Sequence, residues 1–108
     1  MKLSADLLRG YTDVILLRRL AEEDSYGYRI NKQVSEISDG SVELKEATLY
    51  TAFRRMEEAG LIRSYWGNED IGARRRYYAL TEQGRRRLEE ETQAWEETKE
   101  LLNRLIYG

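Results

Sequence analysis

The sequence predicts a mainly α fold with one small β-hairpin. Three observations predict it. Apolar residues recur at helical spacing in four separate segments. Two aromatic-rich runs flank a polar stretch with Gly near both ends. No Pro occurs in the 108 residues, and no low-complexity linker or internal repeat divides them. That length predicts a single domain, small enough to gain from oligomerisation.

The first helix is expected over residues 5–22. Leu3, Leu7, Tyr11, Val14, Leu17 and Ala21 follow helical spacing, and Leu8, Ile15, Leu16 and Leu20 widen the stripe. So broad an apolar face implies burial against more than one neighbour. Asp24-Ser25 offers N-cap chemistry for a second helix over residues 26–37, with Ile30, Val34 and Ile37 inward. Gly40 suits a left-handed position after its end.

The third helix is expected over residues 45–59. Leu49, Ala52, Phe53 and Met56 share one face, while Thr48, Thr51, Arg54, Arg55 and Glu58 lie on or near the other. Gly60 stops it. Residues 61–66 and 75–80 read as strands, since aromatic and β-branched side chains suit a pleated surface. Residues 67–73 form the polar tip between them. Thr81 is the expected N-cap of a long last helix, with Glu82 and Gln83 in its first turn. Leu88, Trp95 and Leu102 recur every seven residues, joined by Leu101, Leu105 and Ile106. A thin apolar stripe on a long helix favours a partner helix, so these six are the expected dimerisation residues, with a helix folded back on its own domain as the alternative.

Composition excludes several functions. The chain has no His and no Cys, which removes the usual general base, the commonest metal ligand and any thiolate site. No catalytic residue, metal ligand or cofactor is expected. Absence of Cys fits a reducing cytoplasm. The longest apolar run, Val14-Ile15-Leu16-Leu17, is far short of a membrane span, so a soluble protein without a membrane partner is expected.

Net charge is −2, but its distribution is uneven. Residues 1–44 carry 6 Lys/Arg and 8 Asp/Glu; residues 45–87 carry 10 and 6; residues 88–108 carry 2 and 6. Local rather than total charge sets the footprint on a phosphate backbone.

Helix, helix, short connection, helix, hairpin is the order of a winged helix-turn-helix. The whole is then residues 1–80 as a winged helix-turn-helix and residues 81–108 as a C-terminal dimerisation helix, with the N-terminal helix also in the dimer interface. A helix about 10–12 Å across fits the major groove of double-stranded DNA. The third helix would face it with Ala47, Thr48, Tyr50, Thr51, Arg54 and Arg55, and the second with Tyr28 and Lys32. On the wing, Arg74-Arg75-Arg76 would reach phosphates or the minor groove. Strand alternation puts Arg75 and Arg76 on opposite faces, so one of the three is expected to pair with Glu57 or Glu58. One of Tyr77 and Tyr78 belongs to the core for the same reason.

Four blocks carry a resemblance to the PadR transcriptional regulators that covers nearly the whole chain. They are Ser25-Tyr26-Gly27-Tyr28-Arg29-Ile30, Ala47-Thr48-Leu49-Tyr50, Arg54-Arg55-Met56-Glu57-Glu58-Ala59-Gly60-Leu61-Ile62, and residues 72–84 from Gly72 to Gly84. Thr51 stands where many members have Pro. The length resembles the branch with a single C-terminal helix. Asp13-Val14-Ile15-Leu16-Leu17, Glu46-Ala47-Thr48-Leu49-Tyr50-Thr51 and Ser64-Tyr65-Trp66-Gly67 are similar to its multidrug-binding repressors. The resemblance implies a homodimer on a palindromic operator, repressing until a planar aromatic or cationic small molecule binds between the subunits. It places the ligand at Trp95 and Val14, with Leu7, Asp13, Thr92 and Lys99 nearby. Aromatic faces do attract planar cations. Trp95 as plain filling of a dimer seam stays open beside it. So does a winged-helix protein-interaction module without DNA binding, which the acidic total charge favours.

Overall fold

The computed structural model describes residues 1–68 and 74–108. Its order is α1 (Ala5–Leu8), α2 (Thr12–Glu22), α3 (Gly27–Ile37), α4 (Glu46–Glu58), β1 (Ile62–Trp66), β2 (Arg76–Leu80) and α5 (Glu82–Tyr107). This is a winged helix-turn-helix with a long C-terminal helix, as the sequence predicts. The expected hairpin tip over residues 67–73 lies outside the described residues from 69 onward.

The first helix is two helices, not one. Ser4 caps α1 through its side chain, and a tight bond from the Tyr11 N–H to the Leu8 carbonyl, 2.8 Å, closes the turn after it. Gly10 stands in that turn, where a helix interior would cost about 1 kcal/mol relative to Ala. The Thr12 hydroxyl donates to the Leu8 carbonyl at 3.0 Å and carries the chain into α2.

Asp24-Ser25 does not cap α3. Tyr26 occupies the cap position with no side-chain hydrogen bond. Ser25 instead exchanges two backbone hydrogen bonds with Tyr78, of 2.7 and 3.1 Å. The free edge of β2 needs backbone partners, and this demand outweighs the cap.

The turn between α3 and α4 is held by side chains. Asn31 donates to the Leu44 carbonyl at 2.8 Å and accepts from the Leu44 N–H at 3.1 Å. Asp39 and Gly40 both take positive φ at its start. At the end of α4, Gly60 has φ +78°, the Leu61 N–H bonds the Met56 carbonyl and the Gly60 N–H bonds the Glu57 carbonyl. That paired arrangement satisfies carbonyls a helix end leaves open.

β1 and β2 pair antiparallel, Ile62 opposite Leu80 and Trp66 opposite Arg76. The core lies between α2, α3, α4 and the wing. Leu16, Leu17, Ile30, Phe53, Met56 and Ile62 are fully enclosed. Tyr78 is the core tyrosine of its pair, stacked on Phe53 with centroids 4.1 Å apart.

Thr81 caps α5, accepting from the Gly84 N–H at 3.0 Å while its hydroxyl reaches the Gly60 and Leu61 carbonyls. A Cβ on Gly84 would lie 2.0 Å from the Leu61 carbonyl oxygen, so only Gly lets α5 leave the wing here. α5 has 26 residues, about 39 Å at 1.5 Å per residue. Leu88, an expected dimerisation residue, is 3% exposed and part of the chain's own core. It falls on the first two turns, where α5 still lies over its own domain. Beyond it no residue of α5 is buried.

Candidate nucleic-acid interface and inter-helix cavity

Helical spacing divides α4 cleanly. Leu49, Ala52, Phe53 and Met56 face the core, so Ala47, Thr51 and Arg54 stand along the outer line and are exposed. Thr48 and Tyr50 flank that line. Tyr50 leans back over the first turn of α3, where a Cβ on Gly27 would meet its hydroxyl at 2.9 Å. Tyr28 lies exposed beside it, and Lys32 follows one turn on, also exposed.

Arg55 is placed otherwise than its neighbours on α4. Its Nη1 donates to Asp13 Oδ2 at 2.6 Å and its Nη2 to Asp13 Oδ1 at 2.9 Å. The hydrogen bonds to Asp13 raise its already high pKa. A residue expected at DNA and one expected at the ligand thus satisfy each other.

The wing separates its arginines as strand alternation requires. Arg76 donates to the Ser64 hydroxyl at 2.8 Å and lies 3.6 Å from Glu57, the pairing expected for one of the three. Ser64 donates to Glu57 at 2.6 Å, closing a triangle. Arg75 stands on the other face, 4.8 Å above the Tyr26 ring, and has a further partner. Arg29 lies over the same ring at 4.7 Å. Tyr26 meets Tyr77 edge-on, and Tyr77 stacks on Tyr65. Tyr65 donates to Asp24 at 2.6 Å, and that bond pushes the phenol pKa up. Arg74 is exposed at the base of the tip. Sequence reasoning missed Tyr26 and Arg29 as members of this ladder. Only the neighbouring block Tyr26-Gly27-Tyr28-Arg29 signals them.

A second feature is an open apolar hollow of about 590 Å³ between α1, α2, α3 and α5. Of the residues expected around a ligand, Leu7, Val14, Thr92 and Trp95 line it. Asp13 does not; one residue before Val14, it turns to Arg55. Lys99 does not either, and pairs with Glu96 at 2.9 Å. Trp95 is 39% exposed and packs edge-on against Tyr11 at 5.2 Å. The charged groups on the hollow are Arg18 and Arg19. Leu102 also lines it, half exposed, and beyond it Leu105, Ile106 and Tyr107, with Leu101 alongside, are exposed.

Among the described residues, no group of acidic side chains could hold a metal ion, and no helix is long and apolar enough to cross a membrane.

Comparison with known proteins agrees with this architecture. The chain is similar to a transcriptional regulator from Clostridium thermocellum, with 43% identity, a TM-score of 0.86, and 93% of this chain and 97% of that one covered. A PadR family transcription regulator from Clostridium difficile is 44% identical over 90% of this chain and 99% of that one, with a TM-score of 0.80. A PadR-like transcriptional regulator from Bacillus cereus is 27% identical over 96% and 99%, with a TM-score of 0.83. An uncharacterized protein from Lysinibacillus sphaericus is 38% identical over 104 residues. Residues 16–90 match the transcriptional regulator PadR-like family, and the chain belongs to that family.

Proposed function

We propose that this protein is a sequence-specific DNA-binding regulator that acts as a homodimer on a palindromic operator in the cytoplasm. One observation carries the reading. The outer line of α4, Ala47, Thr51 and Arg54, is uncovered by the rest of the chain and flanked by Thr48 and Tyr50. This offers short polar groups and a guanidinium to base edges. Arg74 and Arg75 on the wing, with Tyr28 and Lys32 on α3, then approach the backbone on either side. Arg55 and Arg76 support the frame through their acidic partners.

The dimer is formed by α5. Leu101, Leu102, Leu105 and Ile106 are apolar and exposed on a helix that outruns its own core, and a second copy covers them. The same copy closes the hollow at Trp95 and Val14. A planar aromatic ligand stacked on Trp95 there would change the separation of the two reading heads. Half-sites lie about 34 Å apart, so small changes in separation weaken binding and relieve repression.

The test is a titration of the protein into a fluorescent duplex of its own upstream region, at two salt concentrations, with and without Hoechst dye. Saturable, salt-sensitive binding that the dye weakens, with quenching of tryptophan emission, supports the whole reading. Binding indifferent to the dye keeps the regulator and discards the ligand. Absence of binding at low salt leaves the protein-interaction module.

A further inference from the structure

A second hollow, of about 670 Å³, separates the N-terminal segment and α1 from the first turns of α4. Its lining includes Lys2, Arg9, Lys45 and Arg55 but a single acid, Glu43. Arg55 is already held by Asp13, which leaves Lys2, Arg9 and Lys45 facing Glu43 on a chain whose total charge is −2. Thr48 and Thr51 of α4 line the same space.

These cations differ in how they are paired. The Leu3 N–H donates to the Ser41 carbonyl at 3.1 Å, which fastens the segment carrying Lys2 to the turn before α4. Lys2 and Lys45 form no ion pair among the described residues. Arg9 pairs with Asp6 at 2.8 Å, but both side chains are more than three-quarters exposed, so water and salt weaken the pair and leave the guanidinium exchangeable.

We propose that this hollow is a second phosphate-binding wall of the DNA interface, in which Lys2 and Arg9 hold the duplex backbone alongside α4, opposite the wing. The proposal rests on the reading of α4 as the recognition helix. A duplex seated on Thr48 and Thr51 lies across the mouth of the hollow. Its flanking phosphates then fall between the α4 N-terminus and the N-terminal segment. Charge complementarity selects a polyanion as the occupant, and shared lining with the candidate base-reading residues makes that polyanion the same duplex.

The experiment is a salt titration of duplex binding by fluorescence anisotropy, comparing the parent chain with Lys2→Gln/Arg9→Gln and Arg9→Gln. Each phosphate contact contributes about 0.9 to the slope of log K against log salt. The double variant is expected to lose about two such contacts per protomer and the single variant about one, with preference for the upstream duplex over a scrambled one unchanged. Slopes equal to the parent's would overturn the proposal and leave the α4 reading intact. A parent chain that binds no duplex at low salt would overturn that reading, and the proposal with it.

Discussion

Asp13 and Arg55 join α2 to α4 through two hydrogen bonds of 2.6 and 2.9 Å. α2 carries Val14 on the wall of the apolar hollow, and α4 carries the line offered to DNA. The pair is therefore a direct polar link between the helix that walls the proposed ligand hollow and the proposed recognition helix. Both side chains are more than a third exposed, so its worth is that of a screened pair, about 0.2–1 kcal/mol. Asp13→Ala is expected to lower unfolding stability by no more than that. It also releases the Arg55 guanidinium, so duplex binding at low salt tightens and its salt dependence steepens by about 0.9 per protomer. Denaturant melts and the salt titration check the two effects separately. Looser binding by Asp13→Ala would mean that the pair's positioning of α4 outweighs the released charge.

Ser25 has a different fate. Its backbone completes the wing, while its hydroxyl is fully buried with no hydrogen-bond partner among the described residues. An unsatisfied buried hydroxyl costs about 1–3 kcal/mol. Ser25→Ala keeps the backbone bridge to Tyr78 and removes that penalty. A rise in stability of about 1 kcal/mol is expected by this reasoning, seen as a higher denaturant midpoint with unchanged slope. A lower midpoint would show that the hydroxyl is bonded in solution.

Much of this arrangement is legible in the sequence. The helical spacing of Leu49, Ala52, Phe53 and Met56 places the outer face of α4 without coordinates, and Gly60 marks its end. Alternation along the strand expected over residues 75–80 separates Arg75 from Arg76 and makes one tyrosine core. What stays hidden depends on partners distant in sequence. Asp24-Ser25 reads as a cap until β2 claims the Ser25 backbone. Asp13 and Arg55 are 42 residues apart, and no local pattern announces the pair. The split of the first helix is a local event, but one Gly in an apolar stripe is too weak a signal to locate it.

The tyrosines supply a pH test. Hydrogen bonding to Asp24 raises the Tyr65 pKa, and burial raises that of Tyr78. In both, the folded protein holds the neutral phenol more strongly than the unfolded chain does. The resulting stability is fully present below the ordinary tyrosine value of about 10 and is lost as pH rises through the raised values. Alkaline titration followed by phenolate absorbance should show Tyr65 and Tyr78 ionising above the ordinary tyrosine value. Tyr65→Phe should remove one of them. Ionisation of Tyr65 and Tyr78 at the ordinary value, below the unfolding transition, would contradict both assignments.

Leu88 and Leu105 share the apolar stripe of α5, but only Leu88 lies in the core of its own chain, and one substitution at each separates their roles. Leu88 is 3% exposed and packs within its own chain, whereas Leu105 and Ile106 are 71% and 72% exposed. Leu88→Ala empties a site the protomer itself fills, at a cost of about 2–5 kcal/mol. That loss should appear in denaturant melts at every protein concentration. Leu105→Glu removes nothing from the protomer's core. If a second copy covers that end of α5, the charge has no place in the contact, and sedimentation should show a folded monomer. Helix content near neutral pH should stay close to the parent's. Stability should then cease to depend on concentration, because dimerisation no longer contributes by mass action. A Leu105→Glu chain that sediments with the parent would place the dimer contact elsewhere on the molecule.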